Sequence, residues 1–342
     1  MQTLDPIVVS NPEVLSLSAV RGDYDGPIRR YCFSTAETRD IVNKPEVMGM
    51  EYTEKLEAAM MHLLQGFKPL HFTDMVEDQV DVFNFLRGGL NFGLRNALHR
   101  AYGWNYHRSS FMSTQRARDT EGRWYITEDS YRKITIAKGG IIFCGDVIAT
   151  GVTLENGLEA LTNEVKKRGA SIRYFHFFTI GCHKAEKILE EYYEIWKKEF
   201  PDFEGVDVFY MEGKFHLADS KTPVTIKLPG TDLLRRDSVV MPECLASQDD
   251  DIAYALERCT IYDAGSRAYD IEEYSSDVSE YWEEVLALAK NGMTTEAYLA
   301  ERFPEASDTL KAKAKETDLA ALSEQRMQYF RQHAGSVRYA HV

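Results

Sequence analysis

Residues 140–145, GIIFCG, are continuously apolar and open the stretch IIFCGDVIATGVTLENG (141–157), in which an acid, a Thr-Gly pair and a further Thr follow at once. A run without polar alternation suits a strand covered on both faces, which is the position of a central strand in a parallel sheet. Parallel strands need crossover connections, usually helices. The sequence supplies one here: Leu154, Leu158, Leu161 and Val165 recur at helical spacing from Thr153, and Gly169 provides a stop. The unit then repeats, with SIRYFHFFTI leading into HKAEKILEEYYEIWKKEF and on to VDVFYME (206–212), the last strand expected. Upstream, VDVFNFL (80–86) is the first clear strand, and the glycine-rich RGGLNFG opens a short amphipathic helix that Gly103 ends. RSSFMST (108–114) and RKITIA (132–137) read as strands separated by a long polar segment. Alternating strands and helices predict an α/β fold with an open parallel sheet flanked by helices.

Outside this middle region the pattern is weaker. Residues 1–50 are mixed, and 215–265 are loop-rich, with Pro223, Pro229 and Pro242 interrupting regular structure. From Tyr274 onward the chain reads as helical, acidic in SEYWEEVLALAKN and more basic in EQRMQYFRQH. The expected organisation is an α/β core over 55–240, with 1–54 and 241–342 forming a mostly helical accessory or hood region.

The 342 residues include 44% hydrophobic and 12% aromatic residues, enough apolar surface to form a full-sized core. A net charge of -14 with no Lys/Arg block argues against a nucleic-acid surface. Cys32, Cys144, Cys182, Cys244 and Cys259 are scattered without a C-x-x-C, fitting reduced thiols rather than a disulfide framework or zinc site. The N-terminal MQTLDPIVVSNPEVLSL lacks a basic segment and a long apolar core, and no apolar run approaches the roughly 20 residues of a membrane span. A cytoplasmic protein without membrane or nucleic-acid partners is expected.

The chemistry concentrates where the 140–145 run meets its helix. A glycine-containing loop between a strand and a helix N-terminus presents free backbone N–H groups and the positive end of the helix dipole, which suits a phosphate. Thr150 and Thr153 add hydroxyl donors, and Gly151 permits close backbone approach. Asp146 repels a phosphate, so its carboxylate is expected to accept from sugar hydroxyls or orient a hydrated cation. Acid and cradle together suggest a phosphorylated sugar. Neither a G-x-x-x-x-G-K-[ST] loop nor a G-x-G-x-x-G turn is present.

IIFCGDVIATGVT resembles the phosphoribosyl pyrophosphate (PRPP) signature of type I phosphoribosyltransferases, an apolar strand, two acids, two variable residues and a phosphate loop of the form A-T-G-x-T. FNFLRGGLNFG (83–93) resembles that family's pyrophosphate loop, and the polar segment between the motifs takes the place of its mobile flap. The resemblance covers roughly residues 80–215. It implies that Asp146 faces the ribose hydroxyls, that Ala149, Thr150, Gly151, Val152 and Thr153 wrap the 5-phosphate, and that Arg87, Gly88 and Gly89 hold the pyrophosphate. It further implies that Arg116 and Arg118, with Arg123 or Lys133, close over the leaving group. Mg²⁺ would ride on the substrate, with Asp146 reaching it through ribose or water. The implied reaction is displacement of pyrophosphate from PRPP by a nucleobase or other ring-nitrogen acceptor, in an enzyme expected to be a homo-oligomer, a dimer.

Two positions depart from the family pattern. Gly145 replaces the first of the paired acids, and Ala149 stands where 6-oxopurine enzymes carry an Asp that handles the base proton; Ala149 argues against hypoxanthine or guanine. The competing readings are a non-catalytic PRPP or nucleotide-binding regulatory protein, for which Gly145 speaks, and a different enzyme on the same fold, such as a reversed nucleotide pyrophosphorylase or a sugar-phosphate hydrolase. A leaving-group clamp and an Arg-rich flap favour the transferase.

Other features read as structural. IGCHK (180–184) is explained by a helix start after a strand, His99, His107 and His216 by packing or surface, and SQDDD (247–251) by an acidic turn or helix start. The RGD at 21–23 is a coincidence of sequence, and IYDAGSR (261–267) is an unassigned turn.

Overall fold

The structure is a computed structural model that describes the chain except residues 1, 12, 23–25, 72–74, 87–91, 119–123, 149–150, 228–232, 258–269 and 338–342. At 8–10, 68–71, 114–118, 124–130 and 333–337 it describes the backbone alone. The strands are β1 (Thr3–Asn11), β2 (Leu15–Arg21), β3 (Arg29–Ser34), β4 (Val80–Leu86), β5 (Arg108–Arg118), β6 (Trp124–Lys133), β7 (Gly140–Ile148), β8 (Ile172–Cys182), β9 (Gly205–Leu217) and β10 (Leu233–Val240). The helices are α1 (Ala36–Asn43), α2 (Gly49–His71), α3 (Leu94–Tyr102), α4 (Val152–Lys167), α5 (Lys184–Glu199), α6 (Pro242–Gln248), α7 (Ile252–Leu256), α8 (Ile271–Lys290), α9 (Thr295–Arg302), α10 (Asp308–Glu316) and α11 (Leu319–Val337).

All ten strands join one sheet, in the order β1-β2-β3-β9-β8-β7-β4-β5-β6, with β10 pairing β9 off this path. From β3 through β5 every neighbouring pair is parallel, and antiparallel strands finish both ends. Central β7 is buried over its first six residues and β9 over eleven consecutive ones, so the two-faced burial expected of GIIFCG holds. Ile142, Phe143, Cys144, Phe177 and Val208 are completely buried. The α/β architecture with helices flanking a largely parallel sheet matches the sequence expectation. No helix among the described residues is long and apolar enough to cross a membrane.

Several boundaries differ from the sequence reading. Residues 3–34, read as part of an accessory region, supply β1–β3, and β3 lies beside central β9 in parallel register, Tyr31 opposite Phe209. The main sheet therefore begins well before residue 55. The strand expected over 132–137 ends at Lys133, and the polar segment before it, outside the undescribed 119–123, is strand. It pairs as an antiparallel hairpin, from Phe111 opposite Lys133 out to Arg118 opposite Trp124. Ladder hydrogen bonds satisfy its backbone, so an edge hairpin needs no apolar alternation to persist. VDVFYME continues to Leu217, and β10 follows within the stretch read as loop-rich. Beyond β10 the chain is helical as expected, with α8 and α11 packed together around buried Val278, Trp282 and Phe330.

Candidate functional site

The two sequence motifs lie on neighbouring strands. β4 and β7 run parallel with Val80 opposite Ile141 and Phe83 opposite Cys144, so both strands discharge their loops at the same, carboxyl edge of the sheet. From β4 the chain passes into 87–91, and from β7 into 149–150, both outside the described residues. In open α/β sheets this edge is where ligands are held. The chain returns at Phe92 and Gly151.

Gly151 caps α4 in a left-handed conformation, φ +83°, and no side chain caps the helix. A Cβ at Gly151 would sit 2.4 Å from Cδ1 of Ile188 on α5, a side-chain end that can swing aside, so it is the left-handed backbone that calls for glycine. Because the helix begins at Val152, Thr153 is its second residue. No side chain among the described residues caps the first backbone N–H groups of α4, at the end where its dipole is positive. Basic Lys166 and Lys167 occupy the last turn, the complementary arrangement.

Close packing fixes α4 against β4. A Cβ at Gly157 would lie 1.9 Å from Cε1 of Phe85, so the helix rests directly on a strand residue two places before Arg87. Leu154, Leu158, Leu161 and Val165 are completely buried, which is the apolar stripe expected from the sequence.

Asp146 is half-buried near the end of β7, opposite Thr179 on β8. Its Oδ1 accepts the backbone N–H of Val147 at 2.9 Å. Burial pushes the neighbouring Cys144 thiol well above its ordinary range and the Asp146 charge adds to the shift, so this cysteine stays a neutral thiol. Thr179 is 1% exposed and its hydroxyl has no partner among the described residues. A Cβ at Gly181, two residues further along β8, would meet that hydroxyl and the Ile148 carbonyl, both at 2.9 Å.

The absent first acid has a steric counterpart. A Cβ at Gly145 would lie 2.4 Å from Cγ, 2.8 Å from Cδ1 and 2.9 Å from Cβ of Phe92. Phe92 is completely buried and resumes the described chain after the Arg-Gly-Gly segment. An aromatic ring therefore fills the room that an acid at 145 would need. Sequence reading singled out Gly145 but not Phe92, because nothing in the spacing of 92 and 145 announces their contact. Phe85, Ile188 and Thr179 were missed likewise: each reads as an ordinary strand or helix residue.

The remaining assignments divide as follows. Arg87, Gly88, Gly89, Ala149, Thr150 and Arg123 lie outside the described residues, whereas Asp146, Gly151, Val152 and Thr153 stand together at the β7–α4 junction. Arg116 and Arg118 belong to β5, paired with Ile126 and Trp124. Since Leu86, the last residue of β4, is opposite Ser113, the segment carrying both arginines extends past the end of β4, beyond the same carboxyl edge. Lys133 is exposed at the root of the hairpin, opposite Phe111.

Of the sites set aside on sequence grounds, His107 is buried with neither ring nitrogen partnered among the described residues, and the others have local explanations where described. Cys182 is completely buried and burial raises its pKa; burial lowers that of His183, where α5 begins. His99 Nδ1 contacts the Trp104 carbonyl at 2.9 Å, and His216 Nε2 the Thr222 hydroxyl at 3.1 Å. In SQDDD, Asp251 caps α7 by accepting from the Ala253 N–H at 2.8 Å. IYDAGSR lies outside the described residues, as does Asp23 of the RGD.

No protein-family model and no curated protein matches the chain. Among solved structures it is similar to adenine phosphoribosyl transferase from Trypanosoma brucei, at 14% identity over 61% of this chain and 87% of that one, TM-score 0.32. It is similar also to a hypoxanthine-guanine phosphoribosyltransferase from Bacillus anthracis, at 20% identity over 38% of this chain and 67% of that one, TM-score 0.24. A purine phosphoribosyltransferase from Pyrococcus horikoshii matches at 18% identity over 51% of this chain and 97% of that one, TM-score 0.24. Likenesses of this extent are partial, and the functional reading rests on the chain's own motifs and topology.

Proposed function

We propose that the chain is a phosphoribosyltransferase that moves the 5-phosphoribosyl group of PRPP to a nucleobase or other ring-nitrogen acceptor and releases pyrophosphate. The observation that carries this reading is the side-by-side parallel pairing of β4 and β7, which puts the end of β4, one residue before Arg87 in sequence, at the same sheet edge as Asp146 and the start of α4. The α4 N-terminus would bind the 5-phosphate through backbone N–H groups and the Thr150 and Thr153 hydroxyls. Asp146 would accept from the ribose hydroxyls. Arg87 and the N–H groups of Gly88 and Gly89 would stabilise charge as it builds on the departing pyrophosphate, where preorganised donors contribute most to rate. Arg116 and Arg118, on a hairpin projecting beyond the same edge, would close over the leaving group and exclude water from the oxocarbenium-like sugar.

Among the described residues no cluster of three or more His, Cys, Asp or Glu could hold a metal ion. With one carboxylate at the site, the fitting role for Mg²⁺ is on the oxygens of PRPP, with Asp146 touching it through ribose or water. Bound there, it would neutralise pyrophosphate charge. The same reading brings an acceptor base as second substrate and a homo-oligomer built through the accessory helices.

The Phe92 ring against Gly145 favours one second reading, a PRPP- or nucleotide-binding regulatory protein that keeps the cradle without turnover. Calorimetric titration with PRPP, with and without Mg²⁺, tests what the two readings share, and pyrophosphate release with a panel of bases separates them. Mg²⁺-dependent binding that Asp146→Asn weakens about tenfold, as expected for loss of one charge-assisted contact, supports the placement of ribose. Unchanged affinity in that variant rejects it.

A further inference from the structure

A buried arginine on sheet strand β10 has an open hydrogen-bonding edge among the described residues. Arg235, on β10, is 3% exposed. Its Nη1 donates to the Glu257 carbonyl at 2.8 Å, at the end of α7. Nε and Nη2 are buried and have no hydrogen-bond partner among the described residues. These two nitrogens form the side-on edge of the guanidinium, the fork that grips a carboxylate or phosphate with two parallel hydrogen bonds.

The same protein uses that edge elsewhere. Arg29 donates through Nε to Asp207 Oδ1 at 2.5 Å and through Nη2 to Oδ2 at 3.0 Å. Arg235 presents the equivalent fork without the acid. The carboxylate of Glu257, beside the carbonyl that Arg235 holds, is already committed: Oε1 to Trp282 Nε1 at 2.6 Å and Oε2 to Arg326 Nη2 at 2.9 Å. The next residue along the strand, Arg236, reaches Asp237 at 3.5 Å and the Ala300 and Glu301 carbonyls. A guanidinium cannot shed its proton to become neutral, so a buried one with an open fork favours an anion, which meets both its charge and its paired donors.

We infer that Arg235 is the anchor of an oxyanion-binding subsite, which takes the carboxylate or phosphate group of a small molecule between β10 and the end of α7. β10 provides the position: Leu233 and Leu234 pair with Leu217 and His216 at the carboxyl end of β9, and the ladder then breaks until Val239. Arg235 opens that break, at the same edge of the sheet as the Asp146–Thr153 segment. The inference stands on burial and hydrogen-bond geometry and does not depend on the transferase reading.

Thermal melting of the full-length protein tests it, with inorganic phosphate and succinate as probes and chloride at equal ionic strength as control. At about 100 times its Kd, the recognised anion raises the midpoint of the wild type by about 4 °C. Arg235→Met abolishes this shift and, without anion, melts no lower than wild type, because it removes an uncompensated buried charge. Arg235→Lys keeps the charge but not the fork and needs about tenfold more anion. Thr153→Val, in the other phosphate cradle, leaves the Arg235-dependent shift in place. A shift with phosphate alone identifies a phosphate ester as the source, and one with succinate alone a carboxylate. No shift above chloride in the wild type, or an equal shift in Arg235→Met, overturns the inference. Should Arg235→Met fail to fold, an equal shift in Arg235→Lys does the same.

Discussion

Gly145 and Phe92 make a pair whose coupling can be measured. The ideal Cβ position at Gly145 lies 2.4 Å from Phe92 Cγ, more than 1 Å inside the roughly 3.5–4.0 Å at which carbon atoms rest in contact. Gly145 is buried in central β7 and Phe92 is completely buried against it, so neither moves aside cheaply. Gly145→Ala should therefore behave as overpacking and cost about 2–3 kcal/mol. Phe92→Ala removes a completely buried ring and should cost about 3–5 kcal/mol. For 342 residues the unfolding entropy is about 0.7 kcal/mol/K at the midpoint, so each kcal/mol moves the midpoint by about 1.4 °C.

The singles should lower the melting temperature by about 3–4 °C and 4–7 °C. In the double variant the added methyl enters the space left by the ring. The combined loss should fall about 2 kcal/mol short of the sum, within the range of coupling between residues in contact. Circular dichroism melts of the four proteins supply the cycle. Additivity within about 0.5 kcal/mol would refute the contact, and with it the explanation that Phe92 keeps an acid from position 145. A corollary is that Gly145→Asp should be tolerated far better in the Phe92→Ala background than alone.

Three further outcomes are expected. Arg87→Ala should slow turnover more than it weakens binding of ribose 5-phosphate, and equal losses in steady-state kinetics and calorimetry would contradict a leaving-group role. The Thr150→Val, Thr153→Val double variant should lose ribose 5-phosphate binding, and retained affinity would reject the cradle. Glu212 is completely buried at φ +59°, accepts from the Thr38 hydroxyl, and burial pushes its carboxyl up to about 8. The folded protein then holds a proton that the unfolded chain releases, so this group's effect is a loss of stability as pH rises from about 5 to about 8. Glu212→Gln should match the wild type at pH ~5 and melt about 1–4 °C higher at pH ~8; a higher midpoint at both pH values would assign the gain to something other than ionisation.

What the sequence disclosed follows from where water is excluded. β7 was legible because both faces are covered, and a strand in that position has no alternation to disguise it. The α4 helix was legible through its leucine stripe and Gly169, whose φ of +63° marks a left-handed stop. The β5–β6 hairpin was not, because it finishes an edge of the sheet and is polar along much of its length; its pairing is a property of backbone hydrogen bonds, which leave little trace in residue type. β1–β3 were obscured by Pro6 and Pro12 and by strands whose partners lie far along the chain, β3 pairing with β9.

The candidate site divides along the same line. Asp146, Gly151 and the threonines declare themselves because the proposed phosphate cradle would demand particular residue types in sequence. Phe92, Phe85 and Ile188 do not, because all that is asked of them is volume at a point chosen by three glycines, Gly145, Gly157 and Gly151. Each glycine leaves a gap into which a side chain from another element fits, and two of the three contacts tie α4 to its neighbours. The site is thus specified twice, by polar residues that can be read locally and by apolar contacts visible only once the chain is folded. Arg235 is the converse: one of two adjacent arginines in a loop-rich stretch, it carries no local sign of a site, and only its burial reveals a fork without a partner among the described residues.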